Sequence, residues 1–412
     1  MKTKAIIENG FKETEIGLIP EDWEVVNVDK YIQFERGTEP GSENYNKDKK
    51  GVRFLRVVDI SGSRDDKTYT TSKKLKLCKK KDILITFDGS PGIVKQGLEG
   101  AYSSGIRKVV IINKDLFSDY VYYVLQTIYV QRTIEKYTTG VTIKHSSKAI
   151  LHIKIPFFSI QEQQKIAFVL LKIQQAIEQQ DKIIETTREL KKSLMYKLFT
   201  EGLNGEEQKE TEIGLMPKSW RIVELEDICR PKKEIVIPEG KGKYIYVGLE
   251  HMETGEIWLK SHGYDNEVRS AKFKFNESDV LYGKLRPYLD KAALPNLSGI
   301  CSTDIIVLTP NSKITQHLLI YILHLNNFIE YAKATTSGTN HPRTSWNSLK
   351  RYKLTLPSIK EQKEIANILL NVDKKLSQAE SKKQSLQALF KTMLNQLMTG
   401  KVRVKDFDFE VN

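Results

Sequence analysis

The sequence predicts an α/β (α+β) protein built from two pseudo-symmetric copies of one domain, joined by two long antiparallel coiled-coil helices. Two observations support this fold class. Matching segments recur in the same order nearly 200 residues apart, and two stretches of about forty residues contain neither proline nor glycine. A chain of 412 residues also exceeds the ~100–200 residues of a single ordinary domain, so two or three units are expected from length.

Four pairs of matching segments define the repeat. TEIGLIPEDWEVV begins at Thr14 and recurs as TEIGLMPKSWRIV from Thr211. EQQKIA begins at Glu162 and recurs as EQKEIA from Glu361. TTG and LFTEG in the first copy correspond to TSG and LMTGK in the second, at nearly the same spacing. Matches in one order at a nearly constant offset are typical of an internal duplication.

Each copy opens with a Gly-x-x-Pro turn followed by a tryptophan, Trp23 or Trp220, which we assign to core packing. A helical stretch with apolar residues at helical spacing is predicted later in each copy, near 119–137 and 314–334. Short β-branched and apolar runs between them predict the strands Arg53–Val58, Asp82–Phe87, Arg107–Ile112, Tyr244–Leu249, Asp279–Tyr282 and Asp304–Leu308.

The two stretches without proline or glycine run from Ser159 to about Phe199 and from Ser358 to about Thr399. Each predicts a helix roughly 60 Å long, at ~1.5 Å per residue. Apolar residues recur at alternating steps of four and three, a period of ~3.5 that indicates a coiled-coil seam. The predicted seam consists of Ile166, Leu170, Ile173, Ile177, Ile184, Leu194, Leu198, Ile365, Leu369, Val372, Leu376, Leu386, Phe390, Met393 and Leu397.

The seam allows two pairings. The two helices of one chain can pair antiparallel, which would place the domains at opposite ends in inverted orientation; alternatively, the chain can self-associate with a second copy. The tail after the second helix occupies the place of the linker after the first, so we expect it to return toward the N-terminal domain. The predicted boundaries are 1–157 and 204–357 for the domains, 158–203 and 358–400 for the helices, and 401–412 for the tail.

The charge balance favours an anionic partner. The net charge is +13 and the isoelectric point is about 9.2, as is common among nucleic-acid-binding proteins. The three cysteines, Cys78, Cys229 and Cys301, lie far apart, so neither a disulfide framework nor a zinc site is expected. No signal sequence and no apolar run of membrane-spanning length is evident, so a cytoplasmic location is expected.

Motifs for catalysis do not form a coherent set. The sequence contains neither an Asn-Pro-Pro-aromatic motif nor a phosphate-binding Gly-x-x-x-x-Gly-Lys-Ser/Thr loop, and its seven histidines lack metal-ligand spacing. Glu361-Gln362-Lys363 matches half of a nuclease motif but stands at a predicted helix start. We therefore predict a non-catalytic protein with no metal site. A coiled-coil scaffold for protein partners and an enzyme with an unfamiliar site are the alternatives.

Three features of the sequence match a known family: the repeated openings, the stretch DILITFDGSPG from Asp82, and the helix lead-ins IPFFSIQEQQKIA and LPSIKEQKEIA. In these features the chain resembles the specificity subunits of type I restriction-modification systems. The resemblance covers nearly the whole chain. It implies two target-recognition domains that each read half of a split DNA sequence, with the helices as spacer. It also implies docking of two DNA methyltransferase subunits and of restriction-translocase subunits. No cofactor is then expected in this chain, since the methyl donor, ATP and Mg would be bound by the partners.

The resemblance has one departure. In place of the GSPG turn, the second copy has GKLRPY from Gly283, so a role for that turn is not carried over. Arg286 precedes a proline, which predicts an extended loop able to present its guanidinium to guanine or phosphate. The candidate DNA contacts are Lys73, Lys74, Lys76, Lys79, Lys80, Lys81, Ser90, Arg107, Lys144, His145, Lys284, Arg286, His341 and Arg343. For the lysine cluster, a solvated loop is an equally good interpretation.

Overall fold

A computed structural model of the chain describes residues 10–62, 66–203 and 205–405. The chain forms two compact units. The first unit combines the sequence up to Asp181 with the sequence from Ser381 onward, and the second extends from Lys182 to Glu380. Each unit contains one α+β domain and part of each long helix, so the predicted fold class is confirmed.

The first unit is built around two sheets. Its described elements are β1 (Phe11–Thr14), β2 (Gly17–Pro20), β3 (Glu24–Asn27), β4 (Ile32–Arg36), β5 (Tyr45–Asn46), β6 (Val52–Leu55), α1 (Val57–Ser61), β7 (Thr68–Thr70), β8 (Leu77–Cys78), β9 (Ile83–Thr86), β10 (Asp88–Gly89), β11 (Val94–Lys95), β12 (Gly100–Tyr102), β13 (Ile106–Ile111), α2 (Ser118–Val124), α3 (Ile128–Lys136), β14 (Lys144–His145), β15 (Lys154–Phe157) and the first part of α4 (Ile160–Thr200).

The four-stranded sheet of the first unit has the order β11-β9-β13-β4, and the five-stranded sheet has the order β5-β7-β6-β12-β8. All neighbours are antiparallel except β6 and β12. The sequence ILIT of β9 is buried at every position, which explains its continuous apolar and β-branched character. The residues that follow β9 are therefore positioned by the interior of the unit.

The second unit repeats this plan. Its described elements are β16 (Gln208–Thr211), β17 (Gly214–Pro217), β18 (Arg221–Glu224), β19 (Cys229–Lys232), β20 (Ile235–Val236), β21 (Ile245–Val247), β22 (Gly263–Tyr264), β23 (Lys272–Phe275), β24 (Val280–Gly283), β25 (Ala292–Ala293), β26 (Gly299–Cys301), β27 (Ile305–Pro310), α5 (Gln316–Leu323), α6 (Asn326–Ala334), α7 (Trp346–Leu349), β28 (Lys353–Leu356) and the first part of α8 (Ile359–Met398). Its sheets have the orders β19-β27-β24-β25 and β20-β23-β26-β21-β22.

Two local predictions differ from the structure. The helical stretch predicted in each copy is divided into two helices, α2 and α3 in the first unit and α5 and α6 in the second. In the first unit, Gln126 and Thr127 donate side-chain hydrogen bonds to the carbonyls of Tyr122 and Val124, at 2.8 and 2.6 Å. These side chains take acceptors that a continuing helix would use, so the helix ends there. The first predicted strand ends at Leu55 because α1 follows it.

The long helices pair antiparallel within each unit. In the second unit, Arg188 of α4 forms an ion pair with Glu380 of α8 at 2.6 Å. Lys191, further along α4, pairs with Asp373, earlier in α8, also at 2.6 Å. Partner numbers that fall as the α4 numbers rise define the antiparallel direction. In the first unit, Lys383 of α8 pairs with Asp181 of α4.

The predicted seam has two kinds of surroundings. Ile184 packs with Leu376 and Ala379 in a small cluster formed by the helices alone. Near the helix ends, seam residues belong to the domain cores: Ile166, Leu170 and Leu397 in the first unit, and Leu198, Ile365 and Leu369 in the second. At these ends the stripe therefore packs into the domain cores, which the period of ~3.5 alone did not predict. The helix ends are fastened to the domains by the same apolar stripe.

A Glu-Gln pair at the start of each long helix links it to the domain. In the first unit, the indole nitrogen of buried Trp23 donates to Glu162 at 3.3 Å, and Trp220 donates to Glu361 at 2.9 Å in the second. Gln163 accepts from the amide of Phe117 at 2.9 Å, and Gln362 accepts from the amide of Thr315 at 2.9 Å. The repeated EQ motif is thus explained by the same contacts in both units.

The C-terminal tail packs on the first unit. Arg403 donates to Glu162 and to both carboxylate oxygens of Asp22, each at 2.8 Å, and its guanidinium lies over the ring of Trp23. Hydrogen bonding from Arg403 lowers the pKa of Asp22. Val404 is buried in the core of the same unit. The remaining predicted tail residues, 406–412, lie outside the described residues.

Candidate nucleic-acid interface

In the first unit, the chain leaves the buried strand β9 and forms a short ladder with a distant loop. Asp88 and Gly89 of β10 pair antiparallel with Lys144 and His145 of β14. The carboxylate of Asp88 lies 2.8 Å from Nδ1 of His145 and 3.5 Å from Nη2 of Arg107. This ladder brings the predicted contacts Lys144 and His145 close to Ser90, because Ser90 directly follows β10.

Arg107 is not placed as predicted. Its side chain is buried, and its guanidinium donates to the carbonyl of Ser104, to Asp88 and to the hydroxyl of Ser147 at 3.0 Å. Burial lowers the pKa of this guanidinium, and the facing Asp88 opposes that effect. Because its donors face protein acceptors, Arg107 holds Asp88 in position and is not an exposed contact.

The loop between Thr139 and His145, which we call hairpin loop 1, is closed by a pair of backbone hydrogen bonds. The amide of Thr139 donates to the carbonyl of His145 at 2.9 Å, and the amide of His145 donates back at 2.8 Å. Gly140 adopts a φ of +95°, in the left-handed region that favours glycine. Every residue from 139 to 145 is exposed. Hairpin loop 1 is therefore fixed at its ends and open at its tip.

The second unit builds the corresponding loop, residues 337–343, which we call hairpin loop 2. Ser337 and Arg343 exchange backbone hydrogen bonds of 2.9 Å each. Arg343 donates two hydrogen bonds to Asp304, at 2.9 and 3.2 Å, and this contact lowers the pKa of Asp304. The frame is repeated, whereas the side-chain contact that anchors it is different: the second unit has a carboxylate–arginine contact where the first has a carboxylate–histidine contact.

The predicted contacts of the second unit converge on hairpin loop 2. The amide of Lys284 donates to the backbone carbonyl of Asp304 at 2.9 Å, and the amide of Arg286 donates to the carbonyl of Pro342 at 2.8 Å. Arg286 itself differs from the prediction of an extended loop. Its φ and ψ are 51° and 62°, in the left-handed region, and it precedes a short 3₁₀ turn. The backbone of Arg286 is thus bonded to hairpin loop 2 at Pro342, between His341 and Arg343, and its side chain is exposed.

The lysine segment of the first unit lies apart from hairpin loop 1. Lys79, Lys80 and Lys81 precede β9, whereas Asp88 follows it, so the strand separates them. Lys73 and Lys74 are exposed, as are Lys79 to Lys81. Lys76 is engaged with protein, because its ammonium pairs with Glu35 at 2.8 Å. Hydrogen bonds from Lys76 and Lys108 lower the pKa of Glu35 to about 2.

Sequence reasoning missed the acidic residues that organise both loops. Asp88 stands inside the quoted DILITFDGSPG stretch, and Asp304 is the first residue of a predicted strand. Their position directly beside a buried strand was the available signal. An acidic residue at the end of an apolar strand is well placed to hold a basic residue from another loop.

Comparison with known proteins identifies the family. Residues 20–187 and 217–388 match the type I restriction modification DNA specificity domain. The chain belongs to this family. It is 27% identical to the type I restriction enzyme MjaVIII specificity subunit of Methanocaldococcus jannaschii, over 98% of both chains. It is 24% identical to the EcoDI specificity subunit of Escherichia coli, over 85% of this chain and 81% of that one.

The fold also matches a solved structure. The S subunit of the type I restriction-modification system from M. genitalium superposes with a TM-score of 0.61 at 19% identity, covering 91% of this chain and 96% of that one. The predicted resemblance to type I specificity subunits is confirmed. In the part of the chain that the structure describes, no helix is long and apolar enough to cross a membrane.

Proposed function

We propose that this specificity subunit reads a split DNA sequence, with one half-site bound by each unit. The observation that carries the proposal is the repeated frame around two exposed loops of different composition. Both loops are closed by the same backbone bridge and anchored to a carboxylate, whereas their exposed residues differ. Two domains that bind different base sequences require the same supporting contacts but different exposed side chains, and the two loops have this arrangement.

Phosphate contacts would supply most of the affinity. The net charge of +13, the exposed Lys144 and Arg286 and the half-buried Lys284 favour a polyanion. The logarithm of the binding constant should then fall linearly with the logarithm of salt concentration, by ~0.9 for each phosphate neutralised.

The proposal gives all chemistry to partner subunits. Two DNA methyltransferase subunits would bind this chain, restriction-translocase subunits would complete the enzyme, and the methyl donor, ATP and Mg would be bound there. The relatives named above are specificity subunits of restriction enzymes, which supports this division of labour. In this proposal the long helices set the number of unread base pairs between the half-sites.

The decisive experiment is methylation mapping of DNA modified by the complex reconstituted with its methyltransferase subunits. The expected result is one split sequence, with specified bases in two blocks and an unspecified gap of constant length between them. A complex that methylates DNA without sequence preference, or at one uninterrupted block of bases, would contradict the proposal.

A further inference from the structure

We propose that the two hairpin loops read bases by opposite chemistry. Hairpin loop 1 contacts thymine methyl groups through aliphatic side chains, and hairpin loop 2 forms hydrogen bonds to purine edges through amide and hydroxyl groups. This inference rests on the proposed function, since it names the base class that each unit reads.

The ends of both loops are too constrained to adapt to different bases. His145 contacts Asp88 at 2.8 Å, and Asp88 is also held by buried Arg107. In the second unit, Asp304 receives both hydrogen bonds of the Arg343 fork, a geometry that fixes distance and direction together. We therefore assign His145 and Arg343 as positioning residues. The base-reading residues are those between the anchored ends.

The tip of hairpin loop 1 carries two exposed aliphatic side chains, one on each side of Thr142. Val141 is 100% exposed and Ile143 is 59% exposed, although both are aliphatic. Covering two aliphatic side chains on an anchored loop by a partner removes apolar surface from water, which favours binding. On DNA, the apolar group available to a reader in the major groove is the thymine methyl group. Neighbouring Lys144 is exposed as well, within reach of the backbone phosphates beside such a base.

The tip of hairpin loop 2 is polar. Thr339, Asn340 and His341 occupy the corresponding positions, and all three are exposed. An asparagine amide can donate to N7 and accept from the N6 amino group of adenine in one planar contact, which distinguishes adenine from the other bases. Threonine and histidine offer further donors and acceptors. The second half-site should therefore contain an adenine read by Asn340.

The first arm of the test removes the thymine methyl group and its protein partners in combination. After the split sequence has been mapped, each thymine of the first half-site is replaced singly by deoxyuridine, which lacks only the methyl group. At one position, binding by the wild-type complex should weaken by about 3- to 5-fold, the effect expected for one buried methyl-sized group. The double variant Val141→Ala, Ile143→Ala should bind both DNAs with equal, reduced affinity.

Ile112→Ala is the matched control for this arm, since Ile112 is 58% exposed in the same unit but lies outside hairpin loop 1. It should retain the full discrimination between thymine and deoxyuridine. The second arm uses Asn340→Ala and 7-deazaadenine, which lacks the N7 acceptor. Each alone should reduce binding by ~10-fold or more, and together they should reduce it little further.

Failure of this inference is distinguishable from failure of the proposed function. Loss of sequence preference by the wild-type complex would remove the proposed function itself. A split sequence without thymine in the first half-site, or one whose binding is unaffected by deoxyuridine, overturns the assignment for hairpin loop 1 and leaves the function intact. An Asn340→Ala variant that still discriminates between adenine and 7-deazaadenine overturns the assignment for hairpin loop 2.

Discussion

At the scale of single residues, the structure separates side chains that hold the loops from side chains that are free to bind. Arg107 and Arg343 illustrate the distinction, because a basic residue in a DNA-binding domain invites assignment as a contact. Arg107 is buried against Asp88, and Arg343 donates two hydrogen bonds to the carboxylate of Asp304. The identity of a cation therefore says less about its role than the acceptor it faces.

The role of Arg343 can be tested through salt dependence. Arg343→Ala should reduce discrimination at the second half-site by ~10-fold because hairpin loop 2 loses its anchor. The log-log salt slope should stay unchanged, whereas loss of a phosphate contact would lower it by ~0.9. Arg343→Lys, which retains the charge, should restore part of the discrimination. A reduced slope in DNA-binding titrations would show that Arg343 contacts phosphate directly.

Glu35 makes the stability of the first unit dependent on pH. Hydrogen bonds from Lys76 and Lys108 lower its pKa from 4.5 to about 2, so the stabilisation is present at neutral pH and is lost as pH falls from about 4.5 toward 2. Glu35→Gln should lower the free energy of unfolding by ~1–2 kcal/mol at pH 7. In urea unfolding, its difference from wild type should shrink between pH 5 and pH 3. A difference independent of pH would contradict this account, and Glu99→Gln, at an exposed glutamate of the same unit, serves as control.

The sequence predicted which basic residues lie around hairpin loop 2 better than the local backbone that presents them. Lys284, Arg286 and His341 do converge, because β24 and hairpin loop 2 are neighbours in the fold. The left-handed conformation of Arg286 was not predictable from the proline that follows it. A tertiary hydrogen bond to Pro342 contributes to that conformation and overrides the extended preference of a residue before proline.

At the scale of elements, the long helices were predicted to within one or two residues, since α4 and α8 lack proline and glycine throughout. The shorter helices were less accurate. A continuous apolar pattern covered α2 and α3, but side-chain hydrogen bonds from Gln126 and Thr127 end α2 between them. Periodicity reports which face is buried, and it carries little information about where side chains compete for backbone groups.

The helix pair contains one ion pair whose loss should be costly. Asp373 of α8 is largely buried, and it accepts from Lys191 of α4 and from the hydroxyl of Tyr321, each at 2.6 Å. Burial and the adjacent carboxylate of Asp373 raise the pKa of Tyr321. Asp373→Asn would leave the ammonium of Lys191 without a counter-charge in a poorly solvated position. The free energy of unfolding should fall by ~3 kcal/mol, measured by urea denaturation.

Glu380→Gln provides a matched control on the same helix. Its partner Arg188 is 61% exposed at the side chain, and exposed ion pairs typically contribute ~0–1 kcal/mol. The Glu380 variant should therefore unfold close to wild type. Equal losses in the two variants would show that burial does not distinguish these pairs.

At the scale of the whole molecule, the duplication accounts for both the similarities and the differences between the units. The Trp-Glu contact, the Glu-Gln pair and the closed hairpin loops are repeated with the same bonding partners. The loop anchors and the loop tips differ between the units. Arg403 from the tail supplies an additional charge to Glu162 in the first unit. A repeated scaffold can therefore change its exposed loops without changing the contacts that hold each domain to its helix.

The proposed spacer role of the helices predicts how an insertion changes the DNA target. Seven residues added after Asp181 and seven after Glu380 preserve the period of the seam and lengthen each helix by ~10 Å. At ~3.4 Å per base pair, the unread gap should grow by about three base pairs while the bases of both half-sites stay the same. Methylation mapping of the reconstituted variant complex measures both quantities. The same insertion in α4 alone is the control, because α4 is then seven residues longer than α8 and the contacts that fasten the helix ends to the domains cannot all form, which should abolish methylation. An unchanged gap in the double insertion would show that the helices do not set the spacing.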